Sequence, residues 1–280
     1  MKRAILVISF GSSYLEALEK SICSIENKIK EEYSDFDVYR SFTSHFIIRK
    51  LKENHGIEIK MPEEALLNLY EEKYEEVIIQ PLHIIAGEEF NYIKKVSDAY
   101  SDKFKSIKLG RPIFYYQGVE GLPQDYSLFI EGMSEVFNKN EGTVLVGHGT
   151  AHPANAAYGA LQSVLEDEGY DNVFIGTIEG YPTFGNVINR VKKKNIKEVT
   201  LMPLLLVAGD HVKNDIASDE EDSWKSMFER EGIKVKVIMM GLGEFDKFNQ
   251  LYINRINDLI ENRYEGVGET KKGHKKRGHK

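Results

Sequence analysis

The sequence lacks most of what cross-linked and membrane-bound proteins require. It has one cysteine, Cys23, which excludes an internal disulfide and any thiolate cluster within one chain. No apolar run reaches the roughly 18 residues of a membrane-spanning helix. The apolar run near the start is about six residues long and has no small-x-small cleavage site after it, whereas a signal peptide has an apolar core of roughly 7–15 residues. We therefore expect a cytoplasmic protein with no membrane partner.

Positive charge is also scarce over most of the chain. The net charge is −7, but the last ten residues contribute +6, so the preceding 270 residues sum to −13. An acidic body argues against a nucleic-acid partner, because phosphate binding needs a basic surface. Residues 267–280 are rich in Gly, Lys and His without apolar periodicity, so we predict a disordered basic tail there. The chain has no HExxH element of the kind that zinc hydrolases carry on a helix.

Short aliphatic runs alternate with segments of helical periodicity, which is typical of parallel sheets with right-handed crossovers. The predicted strands are 3–10, 37–43, 75–85, 106–110, 143–149, 172–179, 198–209 and 234–241. Between them, amphipathic helical spacing occurs at 14–31, 62–73, 154–168, 184–194 and 245–263, with a further helix predicted near 125–138.

The two halves of the chain resemble each other. "ISFGSS" (8–13) parallels "VGHGTA" (146–151), and "PLHIIAGEE" (81–89) parallels "PLLLVAGDH" (203–211). We therefore predict an α/β fold of two duplicated parallel-sheet domains with a cleft between them. The predicted boundaries are 1–120 for the N-terminal domain and 121–266 for the C-terminal domain, which carries the candidate site.

Three potential metal ligands follow successive strands of the second half. His148 and Glu179 end the first two strands, and His211 follows the third. Ligands bind beyond the carboxyl ends of strands in an open parallel sheet. Two imidazoles and a carboxylate suit Co²⁺, Ni²⁺, Fe²⁺ or Zn²⁺. The spacing alone leaves open whether these side chains bind metal, because strand-end histidines are often structural and loop glutamates are often merely solvated.

Two further histidines are given structural interpretations. His152 lies four residues after His148, but Pro153 follows it and disfavours helical geometry at residue 152. The two imidazoles are therefore not expected to form a pair on one helix, and His152 is interpreted as a loop residue at the rim of the cleft. His83 lies inside an apolar run and is interpreted as a hydrogen-bonded structural residue.

Several motifs carry a family resemblance. The HGT motif followed by "PLLLVAGDHVKNDIASDEEDSWK" resembles the class II tetrapyrrole chelatases. The segments "SFGSSYLEALEKSI", "FTSHFIIRKL" and "QPLHIIAGEEF", together with the length and the duplication, are similar to the anaerobic sirohydrochlorin cobaltochelatase branch. The similarity extends over about residues 2–262, and the block at 202–224 is long and specific.

The resemblance implies insertion of Co²⁺ into sirohydrochlorin during anaerobic cobalamin biosynthesis. It implies that His148 is the proton acceptor, that His211 also takes part in catalysis, and that His148, Glu179 and His211 bind the metal. An imidazole with a pKa of about 6.5 is a suitable base at neutral pH. No cofactor is expected beyond the substrate metal. In the first half Phe10 replaces His148 and Glu89 replaces His211, so one metal site is expected.

The first half is expected to bind the macrocycle. Sirohydrochlorin carries many carboxylates, so an acidic protein needs local donors for them. The candidate substrate-binding residues are Phe10, Ser12, Ser13, Tyr14 and Glu89, with aromatic stacking by Phe10, Tyr14 or Phe90 and backbone N–H groups at the following helix start. Arg40, Arg49 and Arg111 are further candidates, although an ordinary surface ion pair is the favoured interpretation of each one taken singly.

Other functions fit the same residues. A nickel or iron chelatase acting on sirohydrochlorin would use the same donor set, because intrinsic affinity does not separate these ions. A non-catalytic carrier of a tetrapyrrole or a metal would bind without turnover. The protein could also self-associate as a homo-oligomer, which no sequence pattern decides.

Overall fold

The computed structural model describes residues 1–137 and 141–264, and the basic tail predicted at 267–280 lies outside the described residues. The fold contains two four-stranded sheets, with strand orders β2-β1-β3-β4 and β6-β5-β7-β8 and parallel pairing throughout. The strands are β1 (Arg3–Ser9), β2 (Asp37–Phe42), β3 (Glu76–Pro81), β4 (Ser106–Leu109), β5 (Gly142–Gly147), β6 (Val173–Thr177), β7 (Glu198–Pro203) and β8 (Lys234–Val237). The identical strand orders confirm the predicted duplicated parallel-sheet α/β fold.

Helices connect successive strands. They are α1 (Leu15–Leu18) and α2 (Ser24–Glu32), joined by a π-helical turn, and then α3 (His45–His55), α4 (Pro62–Glu71), α5 (Glu88–Ala99), α6 (Asp125–Met133), α7 (Ala156–Asp167), α8 (Phe184–Lys193), α9 (Trp224–Arg230) and α10 (Asp246–Ile260). Local sequence sets several of the helix ends. Ser44 caps α3, since its hydroxyl accepts the Ile47 N–H at 3.3 Å. Gly56 ends the same helix with φ of 65°.

Three predicted strands are at least four residues too long at their carboxyl ends, among them the one predicted at 234–241, since β8 ends at Val237. The apolar runs continue to residues 85 and 209, but β3 and β7 end at Pro81 and Pro203. The next residues, Leu82 and Leu204, are 1% and 0% exposed, and each donates a last hydrogen bond of 2.8 Å to the neighbouring strand, to the carbonyls of Ile8 and Val146. The apolar residues beyond them lie outside the sheet. Apolar sequence therefore reports burial here rather than strand geometry.

Each sheet buries both faces, as expected when strands are covered by helices on each side. One apolar cluster contains side chains from both halves, among them Ile5, Ile78, Leu145 and Met202. Two further clusters cover the outer faces, one on the first sheet and one on the second. The two sheets thus share part of their core.

Helix α10 extends this shared core, because it packs on elements of the first half. The Tyr252 hydroxyl donates to the Leu82 carbonyl at 2.9 Å, and the buried Arg255 guanidinium donates to the Ile113 carbonyl at 2.8 Å. Arg255 also lies 3.4 Å from the buried carboxylate of Asp125. None of the helices in the described parts of the chain is long and apolar enough to cross a bilayer.

Candidate active site

The carboxyl edges of the two sheets face each other. The Tyr14 hydroxyl, after β1, donates to Asp210 Oδ1, after β7, at 2.6 Å. Reciprocally, the Asn91 amide, after β3, lies 3.1 Å from His152 Nε2, after β5. The Lys213 ammonium also lies 4.3 Å from the centre of the Tyr14 ring. The predicted ligands therefore lie at the edge where the two halves meet.

A close backbone contact holds His148 beside Glu179. The Glu179 N–H donates to the His148 carbonyl at 2.7 Å. Gly149 has φ of +82°, and a Cβ placed on it would lie only 2.6 Å from the backbone nitrogen of Gly180. Glycine is therefore required at residue 149 both by its left-handed conformation and by the neighbouring loop.

The hydrogen bonds of the two site imidazoles indicate the same tautomer. His148 Nδ1 lies 2.9 Å from the Gly149 carbonyl oxygen, and His211 Nδ1 lies 2.7 Å from Asp215 Oδ2. A carbonyl and a carboxylate accept these hydrogen bonds, so Nδ1 is the donor and, in the neutral form of each imidazole, Nε2 has the free lone pair. The ring centroids lie 4.7 Å apart at an interplanar angle of 90°. Two imidazole rings, each with a nitrogen that can bind a metal ion or a proton, are therefore neighbours.

Glu179 lies near this pair without completing a three-ligand site. Its Oε2 is 4.0 Å from His148 Nδ1, and its side chain is 62% exposed. Over residues 1–137 and 141–264, no three His, Cys, Asp or Glu side chains are grouped closely enough to hold a metal ion. The structure thus brings His148 next to each predicted partner separately. The complete His148, Glu179 and His211 ligand set stays a prediction, and it requires the exposed Glu179 side chain to turn toward the two Nε2 atoms.

The predicted substrate-binding residues differ in accessibility. Phe10 is 52% exposed beside the end of β1. Ser12 is buried, and its hydroxyl accepts the Tyr14 N–H at 3.2 Å, so it stabilises the turn that places Tyr14. Ser13 is half-buried on the same loop, and Glu89 is half-buried in the first turn of α5. A role for these residues in substrate binding stays a prediction.

The three candidate arginines have different surroundings. Arg40 donates from Nε to Glu26 at 2.7 Å, and Arg111 is held by Asp125 at 3.0 Å and by Asp258. Both guanidinium groups are therefore engaged inside the protein. Arg49 lies exposed on α3.

The interpretation of His83 as a hydrogen-bonded residue is wrong. Part of the residue reaches the surface, but both ring nitrogens are buried and have no hydrogen-bond partner among the described residues. Burial lowers the pKa of this imidazole to about 4. His152 agrees with its interpretation, since it has extended backbone angles and precedes the short 3₁₀ turn Pro153–Asn155.

Sequence reasoning missed Asp215 as the partner of His211. The signal was present, because the two residues are four apart and a single helical turn brings such residues together. It also missed the contact between Tyr14 and Asp210. These residues are 196 positions apart in the sequence, so no local pattern predicts that they meet.

Solved structures with the same fold include chelatase-like proteins. SirB of Bacillus subtilis, determined with Fe³⁺, aligns with a TM-score of 0.59 and 16% identity, covering 94% of this chain and 97% of that one. A multi-domain protein of Deinococcus radiodurans with structural similarity to chelatases gives 0.60 and 12% identity over 91% of this chain and 54% of that one. At these identities the likeness establishes the fold alone.

Sequence comparison gives the family. A model of the cobalt chelatase (CbiK) family matches residues 3–261, so the chain belongs to this family. A sirohydrochlorin cobaltochelatase of Salmonella typhimurium is 36% identical over 265 residues, covering 93% of this chain and 97% of that protein. Another, of Nitratidesulfovibrio vulgaris, is 28% identical over 265 residues, covering 92% and 91% of the two chains. The resemblance noted from the sequence motifs is therefore confirmed.

Proposed function

We propose that the protein inserts Co²⁺ into sirohydrochlorin, as a step of anaerobic cobalamin biosynthesis, with His148 as the proton acceptor. The observation that carries the proposal is the pair of imidazoles, 4.7 Å apart between ring centroids, at the facing edges of the two sheets. Membership of the cobalt chelatase family and the names of the two relatives support the choice of metal and macrocycle.

Metal insertion requires two pyrrole N–H protons to leave the macrocycle while the ion loses water. His148 Nε2 can accept one of these protons through its lone pair, and the Gly149 carbonyl stabilises the resulting cation through Nδ1–H. Because the His148 side chain is 44% exposed, it can release that proton to water and then accept the second. A nitrogen bound to metal accepts no proton. We therefore infer that His211 and Glu179 bind Co²⁺ before it enters the macrocycle. His148 would be a ligand only before or after its own proton transfer.

An incomplete ligand set suits a site that must release its ion. A closed four-ligand site retains a metal, whereas open positions allow transfer to another ligand. Glu179 is 62% exposed, so its carboxylate is free to change position as the ion moves. The reaction requires no resident cofactor beyond the substrate metal. A cytoplasmic location remains part of the proposal.

The test is an anaerobic metallation assay of the full chain with sirohydrochlorin and Co²⁺, followed by absorption. His148→Ala should lower the rate by about 100-fold or more, the usual loss for a missing general base. His55→Ala, at the exposed end of α3, serves as the control and should react like the wild type. A normal rate in His148→Ala would contradict the assignment. Tetrapyrrole binding without turnover would indicate a carrier, and faster reaction with Ni²⁺ or Fe²⁺ would reassign the metal.

A further inference from the structure

The two sheets present equivalent aromatic residues at their carboxyl edges. In the ladders Ser9 pairs with Phe42, and Gly147 pairs with Thr177. The residue that follows β2 and the residue that follows β6 make the same hydrogen bond. The Thr43 N–H donates to the Ser9 carbonyl at 2.9 Å, and the Ile178 N–H donates to the Gly147 carbonyl at 3.0 Å. In this register, Phe46 in the first half corresponds to Tyr181 in the second. These side chains are 53% and 57% exposed, respectively.

The topology places Phe46 at one end of the cleft. The segment after β1 contacts the segment after β7, and the segment after β3 contacts the segment after β5. Since β2 lies outside β1 and β8 lies outside β7, the segment after β2 lies at the same end as the segment after β8. The latter carries Met239 and Met240, which are 46% and 37% exposed. Large apolar side chains from both halves are thus exposed at this end of the cleft.

Two cations without ion-pair partners accompany Phe46. Arg49 and Lys50 follow it at helical spacings of three and four residues, with the guanidinium carbon 5.9 Å and the ammonium 4.8 Å from the ring centroid. Among the described residues no carboxylate forms an ion pair with either, whereas Lys52 on the same helix pairs with Glu58 at 2.8 Å. Arg49 and Lys50 thus place two positive charges without ion pairs beside an exposed aromatic ring, in a protein whose first 270 residues carry a charge of −13.

We propose that Phe46, Arg49 and Lys50 form a subsite for the carboxylate side arms on one edge of the tetrapyrrole. This inference rests on the proposed function and adds the residues that orient the macrocycle. The Phe46 ring offers an apolar surface for the edge of the macrocycle, and the cations above it pair with the arms. Such local charges attract a polyanion that the protein as a whole repels.

The test is the dissociation constant of sirohydrochlorin for the metal-free full chain, measured anaerobically by fluorescence. The double variant Arg49→Gln with Lys50→Gln should bind about 10-fold more weakly, since each charge-assisted contact contributes modestly when exposed. Its logarithmic dependence on salt concentration should also be less steep. The control is Lys30→Gln with Lys52→Gln, which removes the same charge from the exposed parts of α2 and α3.

The outcomes separate this inference from the proposed function. Equal affinity of the double variant and the control would overturn the subsite, whatever the metallation rate. If the wild type binds sirohydrochlorin without metallating it, and the double variant binds it more weakly, the subsite stands and the catalytic function is overturned. No binding by the wild type would overturn both. Phe46→Ala should weaken binding of sirohydrochlorin and of mesoporphyrin, whereas loss of the two cations should affect mesoporphyrin less, since it has fewer carboxylates.

Discussion

The two site histidines are held by different acceptors. A neutral backbone carbonyl accepts from His148 Nδ1, whereas the Asp215 carboxylate accepts from His211 Nδ1. A carboxylate partner fixes the orientation of an imidazole and strengthens its other nitrogen as a metal ligand. His211 is therefore better suited to hold the ion, and His148 is better suited to change its protonation during the reaction.

The Asp215→Asn variant tests this division of roles. An amide removes the negative charge behind His211, so Co²⁺ should bind about 10- to 100-fold more weakly, as is usual when the partner of a ligand histidine is lost. Titration of the metal-free protein with Co²⁺ measures the change. Asp171→Asn is the control, because that carboxylate pairs with Lys194 in an exposed contact at 3.0 Å. Unchanged affinity in Asp215→Asn would show that the carboxylate has no part in metal binding.

The buried imidazole of His83 should make the fold sensitive to acid. Burial lowers its pKa to about 4, whereas the pKa of a histidine in an unfolded chain is about 6.5. Between these values the unfolded chain binds a proton that the folded protein does not, so the free energy of unfolding falls as the pH is lowered. The maximum loss is about 3 kcal/mol, reached near pH 4.

Replacement of His83 by leucine, the residue at the corresponding position 205 of the second half, should remove this contribution. Urea unfolding at a series of pH values from neutral to acidic measures it. As the pH falls from about 6.5 to about 4, the free energy of unfolding should decrease less for His83→Leu than for the wild type, by up to about 3 kcal/mol. His55→Leu, at an exposed position, provides the comparison. Parallel curves for wild type and His83→Leu would rule out the effect.

At the level of the elements, alternating apolar runs were sufficient to predict the strands. All eight predicted segments contain a strand, and the carboxyl-edge rule correctly brought His148 near both Glu179 and His211. The ends of β3 and β7 were not predictable, since the apolar runs continue to residues 85 and 209, past Pro81 and Pro203, where the strands end. Pairings across the cleft and the partners of the arginines depend on tertiary contacts that no local pattern contains.

Helix α10 depends on a charge that is buried with its partners. Arg255 is 1% exposed, donates to two carbonyls of the first half, and lies beside Asp125. Arg255→Ala would leave that carboxylate and the carbonyls without this partner. We expect a loss of about 3–5 kcal/mol in the free energy of unfolding, as for other broken buried pairs.

Denaturant unfolding measures the effect of Arg255→Ala. Lys247→Ala is the control on the same helix, because its side chain is 57% exposed and its partner Glu135 is 72% exposed. The control should lose less than about 1 kcal/mol. Similar losses in the two variants would mean that the buried network does not hold α10 in place.

At the scale of the whole molecule, the shared core links the two halves. Residues of both sheets and of α10 belong to one apolar cluster. A fragment of residues 1–120, the predicted N-terminal domain, lacks α10 and would expose the surface that Tyr252 and Ile256 cover in the full chain. We expect this fragment not to unfold cooperatively, whereas residues 1–264 should give a single transition.

Calorimetry and near-ultraviolet circular dichroism of the two lengths provide the measurement. A fixed tertiary spectrum and a sharp transition for residues 1–120 would instead establish an autonomous domain with that boundary. Addition of residues 121–264 as a separate chain should restore the structure of the fragment, because it supplies α10.

The duplication is symmetric in topology and asymmetric in chemistry. Both halves contribute equivalent loops to the cleft, but Phe10 occupies the position of His148, and Glu89 occupies that of His211. Two identical halves would confront a flat ring with the same groups above and below. In the proposed reaction only one side of the ring meets the imidazoles, so cobalt enters from a single direction. Because sirohydrochlorin is chiral and its two sides differ, the protein must distinguish one orientation of the ring from its inverse before metal transfer begins.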